Sequence, residues 1–330
     1  MSTWQKINVF LNRIIPVITP TSVIFGIIFA DYLHPYTYLV PWIFAFMTFS
    51  GSLRSDFKSF GRALAHPMPM IVALLVLHVI MPLWALSYGH LVFRGDVYTI
   101  TGLVLATVIP TGITSFVWVT IYKGNIPVAL SVILIDTLLS PFIVPYSLAL
   151  FVGQQIEMDV AAMMGGLFGM VVLPSILGML FHQFTSEQTA EKLSSRLGPF
   201  TKVGLALVVM INSSNIAPFI KDLNFKLLFI LFSVLLIALS GYFISWMIGK
   251  YLKWQKEEII SLTFTGGMRN ISAGAVIAVT YFPPAVALPV ILGMLFQQVL
   301  ASLYGHLLQR SFTRVEVEEA KGQTYQHGSR

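Results

Sequence analysis

Apolar stretches of about twenty residues recur along nearly the whole chain, and this pattern limits the fold more than any other feature. A helix of that length crosses a hydrocarbon core of about 30 Å, because each residue adds about 1.5 Å. The chain of 330 residues is 56% hydrophobic and 10% charged, whereas soluble domains carry about 25% charged residues. The pattern therefore predicts an all-α polytopic membrane protein whose constant partner is the lipid bilayer.

The apolar runs, bounded by charged and turn residues, predict ten transmembrane helices, which we number as spans one to ten. Their predicted ranges are 13–30, 36–53, 69–91, 98–122, 126–152, 160–182, 200–220, 227–249, 257–281 and 285–308. Residues 1–12 are predicted to form a cytoplasmic N-terminus, and residues 309–330 a cytoplasmic tail.

The basic residues predict which side of the membrane each loop faces. If the N-terminus is cytoplasmic, the loops on the outer side contain only three of them, Arg94, Lys221 and Lys226. Lysine and arginine are enriched in short cytoplasmic loops, so both termini are predicted to be cytoplasmic. Orientation thus accounts for the formal net charge of +6, and no nucleic acid partner is expected.

Spans four and nine carry polar residues and glycines where a membrane helix tolerates them least. Span four contains Pro110-Thr111-Gly112-Ile113-Thr114-Ser115, and span nine contains Thr265-Gly266-Gly267-Met268-Arg269-Asn270. The Gly266-Gly267 pair predicts an interruption of the span-nine helix, and such an interruption at membrane depth is tolerated only where protein buries it or where it lines a wet cavity. A charged side chain at such depth, here Arg269, is a candidate for function.

The segments that follow the two unusual spans match each other. Residues 128–134 read Val-Ala-Leu-Ser-Val-Ile-Leu, and residues 286–292 read Val-Ala-Leu-Pro-Val-Ile-Leu. This match predicts two five-helix repeats, residues 13–152 and 160–308. Because five is odd, the second repeat enters the membrane inverted. Inverted repeats with interrupted helices in corresponding positions are typical of secondary transporters, which bind substrate near the membrane midplane.

Sequence motifs of other functional classes are missing from the chain. There is no Gly-x-Ser-x-Gly, no His-Glu-x-x-His and no phosphate-binding loop. There is also no cysteine, which excludes thiolate catalysis and cysteine-bound metals. An enzyme is therefore not expected, nor is a cofactor.

The motifs and their order resemble the bile acid:sodium symporter family in its bacterial ten-helix form, over about residues 10–310. The resemblance is carried by Ile80-Met81-Pro82, residues 110–115 with Lys123-Gly124-Asn125, Leu138-Leu139-Ser140-Pro141 and Gly267-Met268-Arg269-Asn270. It implies a panel domain of spans one, two, six and seven and a core domain of the others, with discontinuous spans four and nine crossing. It further implies a monomeric carrier in the bacterial cytoplasmic membrane, with a cavity between the domains that accepts organic anions.

The family binds two sodium ions around that crossing, and the resemblance implies where their ligands would fall here. Those positions are Leu77, Ser115, Phe116, Ala129, Ile133, Thr265 and Arg269. Only Ser115 remains a plausible oxygen ligand at its position. Sodium is a hard cation that needs several oxygens, so neither sodium site is predicted to be intact and no bound metal is expected.

Three buried ionisable residues predict what replaces sodium. Arg269 brings a permanent positive charge to the crossing, and Asp136 in span five brings a negative one. Either the two pair and lock the crossing, or Arg269 binds a substrate carboxylate while Asp136 or His78 accepts a coupling proton. For His78, the alternative is a hydrogen bond to a backbone carbonyl.

The remaining substrate-binding candidates lie near the two unusual stretches and on span seven. The full set is Thr111, Thr114, Ser115, Phe116, Asn212, Asn215, Thr265, Arg269 and Asn270. For Asn212 and Asn215 the alternative is hydrogen bonding between neighbouring helices.

The sequence as a whole predicts a secondary transporter of small organic anions, either carboxylates or bile-acid-like molecules. It is predicted to work by alternating access and without sodium coupling through the family's usual sites. A sodium-coupled symporter is the first alternative. A metalloid oxyanion permease is the second, disfavoured because the span-four cysteine of the related arsenical-resistance permeases is absent.

Overall fold

A computed structural model describes residues 3–53, 67–153, 156–221 and 224–327, and every regular element in this part of the chain is a helix. The α-helices are α1 Thr3–Ile28, α2 Ala30–Leu33, α3 Val40–Ser52, α4 Pro67–Leu75, α5 Met81–Val92, α6 Val97–Val108, α7 Ser115–Ile121, α8 Ile126–Val152, α9 Val160–Leu167, α10 Leu173–Phe184, α11 Glu187–Ser214, α12 Ala217–Lys221, α13 Phe225–Tyr251, α14 Lys256–Gly267, α15 Ile271–Tyr281 and α16 Pro284–His327. A 3-10 helix, His34–Leu39, joins α2 to α3, and π-helical turns join α4 to α5 at Val76–Ile80 and α9 to α10 at Phe168–Val172.

Six helical stretches among the described residues are long and apolar enough to cross a membrane. They are Pro67–Val92, Ile126–Val152, Val160–Phe184, Glu187–Ser214, Phe225–Tyr251 and Pro284–Phe312. A seventh is present if Val17–Ile28 and Ala30–Ser52, which are bent by 90° relative to each other, form a single span. The multi-pass, all-helical membrane class is thereby confirmed, whereas the count of ten spans stays a prediction.

Several helices extend beyond the ranges that hydropathy predicts. Span seven was expected at 200–220, but α11 begins at Glu187, where the Ser186 hydroxyl caps it by accepting the Thr189 N–H at 3.3 Å. Similarly, α1 already begins at Thr3, and α16 continues to His327 through most of the predicted tail. Hydropathy marks only the apolar part of a helix, and polar residues with good helix propensity extend it beyond the hydrocarbon.

The helices pack in two groups. In one group, α1 packs against α11, and α3 packs against both α10 and α11. In the other, α6 packs against α5, α8 and α16, while α13 packs against α14 and α16. Contacts of α8 with α9 and of α11 with α15 join the groups. The second group holds both of the stretches that the sequence marked as unusual.

The two matching sequence segments occupy corresponding places in the fold. Residues 128–134 lie in the first turns of α8, and residues 286–292 lie in the first turns of α16. Each of these helices follows an interrupted apolar stretch, α6–α7 in the first half and α14–α15 in the second.

Gly102 allows α6 to approach α16 closely, and we expect Gly102→Ala to lower the melting temperature of the purified protein. A Cβ atom at this position would lie 2.5 Å from the Val286 carbonyl oxygen and 2.8 Å from Pro289 Cγ. Overpacking of this kind costs roughly 1–3 kcal/mol. The matched control is Gly165→Ala in α9, where a Cβ meets no atom within 4 Å. Equal melting temperatures for the two variants would contradict this packing.

Candidate functional site

The interruptions of the two apolar stretches lie against each other. Residues 109–114 separate α6 from α7, and residues 268–270 separate α14 from α15. Thr111 and Arg269 form an isolated antiparallel bridge, and the Asn270 N–H donates to the Pro110 carbonyl at 2.8 Å. Backbone groups freed by one interruption therefore find partners in the other, as burial in a membrane protein requires.

The Thr111 side chain fastens the two interruptions together. Its hydroxyl donates to the Thr265 carbonyl at 2.7 Å and to the Met268 carbonyl at 3.2 Å. The next residue, Gly112, has to be small, because a Cβ there would lie 2.9 Å from the Arg269 carbonyl oxygen. These contacts place the interruption of α6–α7 directly over the end of α14.

The Gly266-Gly267 pair has a different role from the one that the sequence predicts. Helix α14 continues through both glycines and ends at Gly267, so the extended backbone begins only at Met268. A Cβ on Gly266 would lie 2.3 Å from Ser245 Oγ, and one on Gly267 would lie 2.4 Å from Tyr242 Cδ1. The pair therefore permits close packing of α14 on α13.

The Arg269 side chain is buried, with 6% of its surface exposed, and backbone carbonyls hold its guanidinium. Its Nε donates to the Thr107 carbonyl at 3.0 Å. Its Nη1 donates to the Gly266 carbonyl at 2.6 Å and to the Met268 carbonyl at 3.4 Å. Its Nη2 makes no hydrogen bond to any residue within the described ranges. One edge of the guanidinium is thus left for another partner.

Asp136 and Arg269 do not pair, so the first alternative from the sequence is not realised. Asp136 is fully buried, and its Oδ1 lies 2.6 Å from His78 Nε2. Its Oδ2 accepts the Thr111 N–H at 2.6 Å. The carboxylate is therefore engaged by His78 and Thr111, and no ion pair joins it to the guanidinium.

His78 takes part in this carboxylate contact and does not bind a backbone carbonyl, which was the alternative from the sequence. It lies in the π-helical turn between α4 and α5 and is 8% exposed. Its second ring nitrogen, Nδ1, has no hydrogen-bond partner among the described residues. The His78–Asp136 pair therefore keeps one ring nitrogen without a hydrogen bond to any described residue, and its carboxylate also accepts the Thr111 N–H.

A cavity lies beside Arg269, among α5, α6, α13, α15 and α16. It encloses about 550 Å³ of empty space, including space open to the exterior. Its polar lining residues are Thr107, Tyr242, Arg269 and Gln297, and the others are glycines or apolar residues such as Leu103, Val234 and Ile271. The family resemblance implied a cavity between two domains, whereas this one lies among helices that the resemblance assigns to the core.

Arg269 is the one sequence-predicted candidate that lines this cavity. Thr265 donates its hydroxyl to the Ser261 carbonyl at 2.8 Å within α14. Asn270 caps α15, its side-chain oxygen accepting the Ala273 N–H at 3.3 Å. The side chains of Thr265 and Asn270 therefore bond within their own helical segments, whereas that of Thr111 bonds across the crossing.

The other candidates differ in their side-chain hydrogen bonds and in their burial. The Asn215 side chain donates to the Ile211 carbonyl at 3.0 Å. Asn212 and Ser115 are fully buried, and their side-chain polar atoms have no partners among the described residues. Thr114 and Phe116 are half-buried near the start of α7. The structure therefore does not bring the span-seven asparagines to the Arg269 cavity.

Three positions at which the family's sodium ligands would fall carry buried aliphatic side chains. Leu77 is fully buried in a cluster with Ala73, Val132 and Leu262. Ala129 is also fully buried, and Ile133 is 8% exposed. None of these three side chains has an oxygen to offer a cation.

Neither Tyr242 nor Gln297 is among the candidates that the sequence predicts. Gln297 Oε1 accepts the Arg269 backbone N–H at 3.0 Å, and the Tyr242 hydroxyl donates to the Gln297 carbonyl at 3.2 Å. A polar amide in the middle of an apolar span could have marked Gln297 as a functional candidate. Nothing in the sequence marks Tyr242, because a single aromatic residue is common in an apolar helix.

Comparison with known proteins matches residues 41–223 to the sodium bile acid symporter family. YbaS of Bacillus subtilis (strain 168) is 57% identical over 295 residues, covering 89% of this chain and 96% of that protein. YocS of the same organism, named as a sodium-dependent transporter, is 26% identical over 278 residues, covering 81% of this chain and 84% of that protein.

A plant relative extends the comparison. The Oryza sativa subsp. japonica protein BASS2, named as a probable sodium/metabolite cotransporter of the chloroplast, is 24% identical over 295 residues. The match covers 87% of this chain and 68% of that protein. With the family match and the close similarity to YbaS, these results show that the chain is a transporter rather than an enzyme and belongs to the sodium bile acid symporter family.

Proposed function

We propose that this protein is a secondary transporter of small organic anions, and that Arg269 binds the anionic group of the substrate. One observation carries the proposal. A buried guanidinium, fixed where two interrupted helices meet, lines a cavity and keeps one nitrogen without a hydrogen bond to any described residue. A buried charge is costly unless it is paired, and an anionic substrate supplies the partner.

The chemistry of the cavity narrows the type of substrate. Among the described residues that line the cavity, only Arg269 has a charged side chain, and most of the others are apolar. Guanidinium groups bind planar carboxylates through paired hydrogen bonds. A carboxylate with a compact apolar body therefore fits better than a polyanion, and the side-chain amide of Gln297 offers it a further polar contact.

The architecture supports alternating access. Counting each interrupted stretch, α6–α7 and α14–α15, as one span and counting α1 and α2–α3 separately, the six long helices become ten. We infer that the two packing groups are the panel and core domains, and that the halves are inverted repeats. Interrupted helices that meet at a fixed site are the arrangement around which such repeats rock. We infer further that the protein works as a monomer in the bacterial cytoplasmic membrane, with both termini in the cytoplasm.

The coupling ion that we propose differs from the one in the names of two relatives. YocS and BASS2 are named for sodium, yet Leu77, Ala129 and Ile133 are buried aliphatic residues without an oxygen to offer a cation. We propose that the His78–Asp136 pair carries a coupling proton in place of sodium. Buried ionisable residues that pair in membrane proteins often mark proton pathways.

Replacing Arg269 tests substrate recognition. Arg269→Gln should weaken carboxylate binding by roughly ten- to hundredfold, because a hydrogen bond to a charged group contributes about 1.5–3 kcal/mol. The measurement is uptake of a panel of radiolabelled monocarboxylates into proteoliposomes, with thermal-shift titration of the purified protein. Arg94→Gln removes an arginine from the exposed turn before α6 and should transport normally. Unchanged substrate affinity in Arg269→Gln would remove Arg269 from the binding site.

Replacing Asp136 tests proton coupling. Asp136→Asn keeps the shape of the side chain but cannot ionise, so substrate accumulation driven by an inwardly directed proton gradient should be lost while counterflow exchange persists. The control, Asp96→Asn, removes a carboxylate from a partly exposed ion pair with Lys226 at 2.7 Å and should leave this coupling intact. Accumulation that follows a sodium gradient in the unsubstituted protein would instead favour the sodium-coupled alternative.

A further inference from the structure

The C-terminal ends of two half-helices converge on one guanidinium. Helix α6 ends at Val108 and helix α14 ends at Gly267. Thr107 lies in the last turn of α6 and Gly266 in the last turn of α14, and both carbonyls accept hydrogen bonds from Arg269. A third acceptor, the Met268 carbonyl, lies just beyond the end of α14.

Two helix C-termini that meet inside a membrane protein create a need for positive charge. The last four carbonyls of a helix lack partners within it, and the aligned peptide dipoles place about half a negative charge at that end. Two such ends repel each other strongly where the dielectric constant is low. Carbonyls of this kind are also the groups that hold small cations in transporters with interrupted helices.

We infer that the Arg269 guanidinium is a tethered cation that occupies a monovalent-cation site formed by the carbonyls of Thr107, Gly266 and Met268. Because the cation is covalently attached, the site stays filled throughout the transport cycle and needs no ion from solution. The inference deepens the proposed function, on which it rests for its role in transport. The cation site itself can be measured without transport.

The charged groups near Arg269 support this assignment. Both oxygens of the nearest acid discussed above, Asp136, are engaged by His78 and by the Thr111 N–H. No carboxylate among the described residues forms an ion pair with Arg269. Carbonyl dipoles are therefore the groups in direct contact with the guanidinium, as they would be with sodium, and the charge of Asp136 acts on it from beyond ion-pair distance.

Truncation of Arg269 should open the site to an ion from solution. In Arg269→Ala, the Thr107 and Gly266 carbonyls lose their side-chain donor, and among the described side chains the Met268 carbonyl keeps only the Thr111 hydroxyl. The adjoining cavity of about 550 Å³ leaves room for water and a small cation beside them. A cation that binds the folded state raises its stability by RT ln(1 + [L]/Kd). Stability that depends on added cations is therefore the expected property of the variant.

The experiment measures melting temperatures of the full-length protein in detergent, with sodium chloride replacing choline chloride at constant ionic strength. Arg269→Ala should melt at steadily higher temperature as sodium rises from 1 to 300 mM, by several degrees overall. Guanidinium chloride at a few millimolar should do the same, whereas urea at equal concentration should not. The unsubstituted protein should show no such stabilisation, because its site is already filled.

Two further variants separate this effect from a general weakening of the crossing. Thr111→Val also removes a donor from the Met268 carbonyl, but it leaves Arg269 in place and should show no cation dependence. Arg269→Lys keeps a tethered ammonium and should respond less than Arg269→Ala. Cation responses of equal size in Arg269→Ala and Thr111→Val would overturn the inference.

The outcomes remain informative whatever the substrate proves to be. Arg269→Gln provides a second truncation in case Arg269→Ala does not fold. Failure of both to fold with sodium or guanidinium present throughout purification would also overturn the inference, since a filled site should restore the crossing. Cation-dependent stability in the variants, with no anion transport by the unsubstituted protein, would keep the tethered cation and refute the proposed function.

Discussion

The antiparallel contact between Thr111 and Arg269 is the interaction on which the rest of the site depends. An interrupted helix cannot leave its free N–H and C=O groups in a membrane interior, and here each interruption supplies partners for the other. The same contact imposes further demands. It requires Gly112 because there is no room for a Cβ, and it brings the ends of α6 and α14 so close that a positive charge must lie between them. Arg269 meets that demand from within the contact itself.

The crossing also links the acidic and basic groups that sequence comparison alone would pair directly. Asp136 holds the Thr111 N–H, the Thr111 hydroxyl holds the Met268 carbonyl, and the guanidinium of Arg269 holds the same carbonyl. In the proposed mechanism, a proton taken up by the His78–Asp136 pair would weaken the charge-assisted bond to Thr111, and Thr111 shares the Met268 carbonyl with Arg269. Proton binding and anion binding can influence each other through Thr111 without an Asp136–Arg269 ion pair.

The sequence predicted the membrane class, the two unusual stretches and the functional candidates Arg269, Asp136 and His78, because polar residues are easily recognised against an apolar background. It could not predict which of these residues form hydrogen bonds with one another. Extended backbone has no helical period from which the direction of a side chain can be read, so the partners of Arg269 depend on the meeting of two segments that are 158 positions apart. Gly266 and Gly267 were read as the interruption itself, but a glycine pair equally serves close packing of helices, and here it admits Ser245 and Tyr242 of α13.

Family membership and the local chemistry of the crossing answer different questions. The matching family is named for sodium and bile acid, and membership accounts for the arrangement of helices, whereas the ion that drives transport depends on the few atoms at the crossing. An arginine next to an intact sodium site would, by itself, repel the ion. Aliphatic residues in place of the oxygen ligands would, by themselves, leave the helix carbonyls without a cation. Taken together, the two changes compensate each other. At positions where the resemblance implies sodium ligands, Leu77, Ala129 and Ile133 offer no oxygen to a mobile cation, and in our inference Arg269 supplies the charge that the carbonyl ends require. Such mutual compensation is expected when a cation site has been replaced as a unit, because each change by itself would destabilise the crossing that both now stabilise.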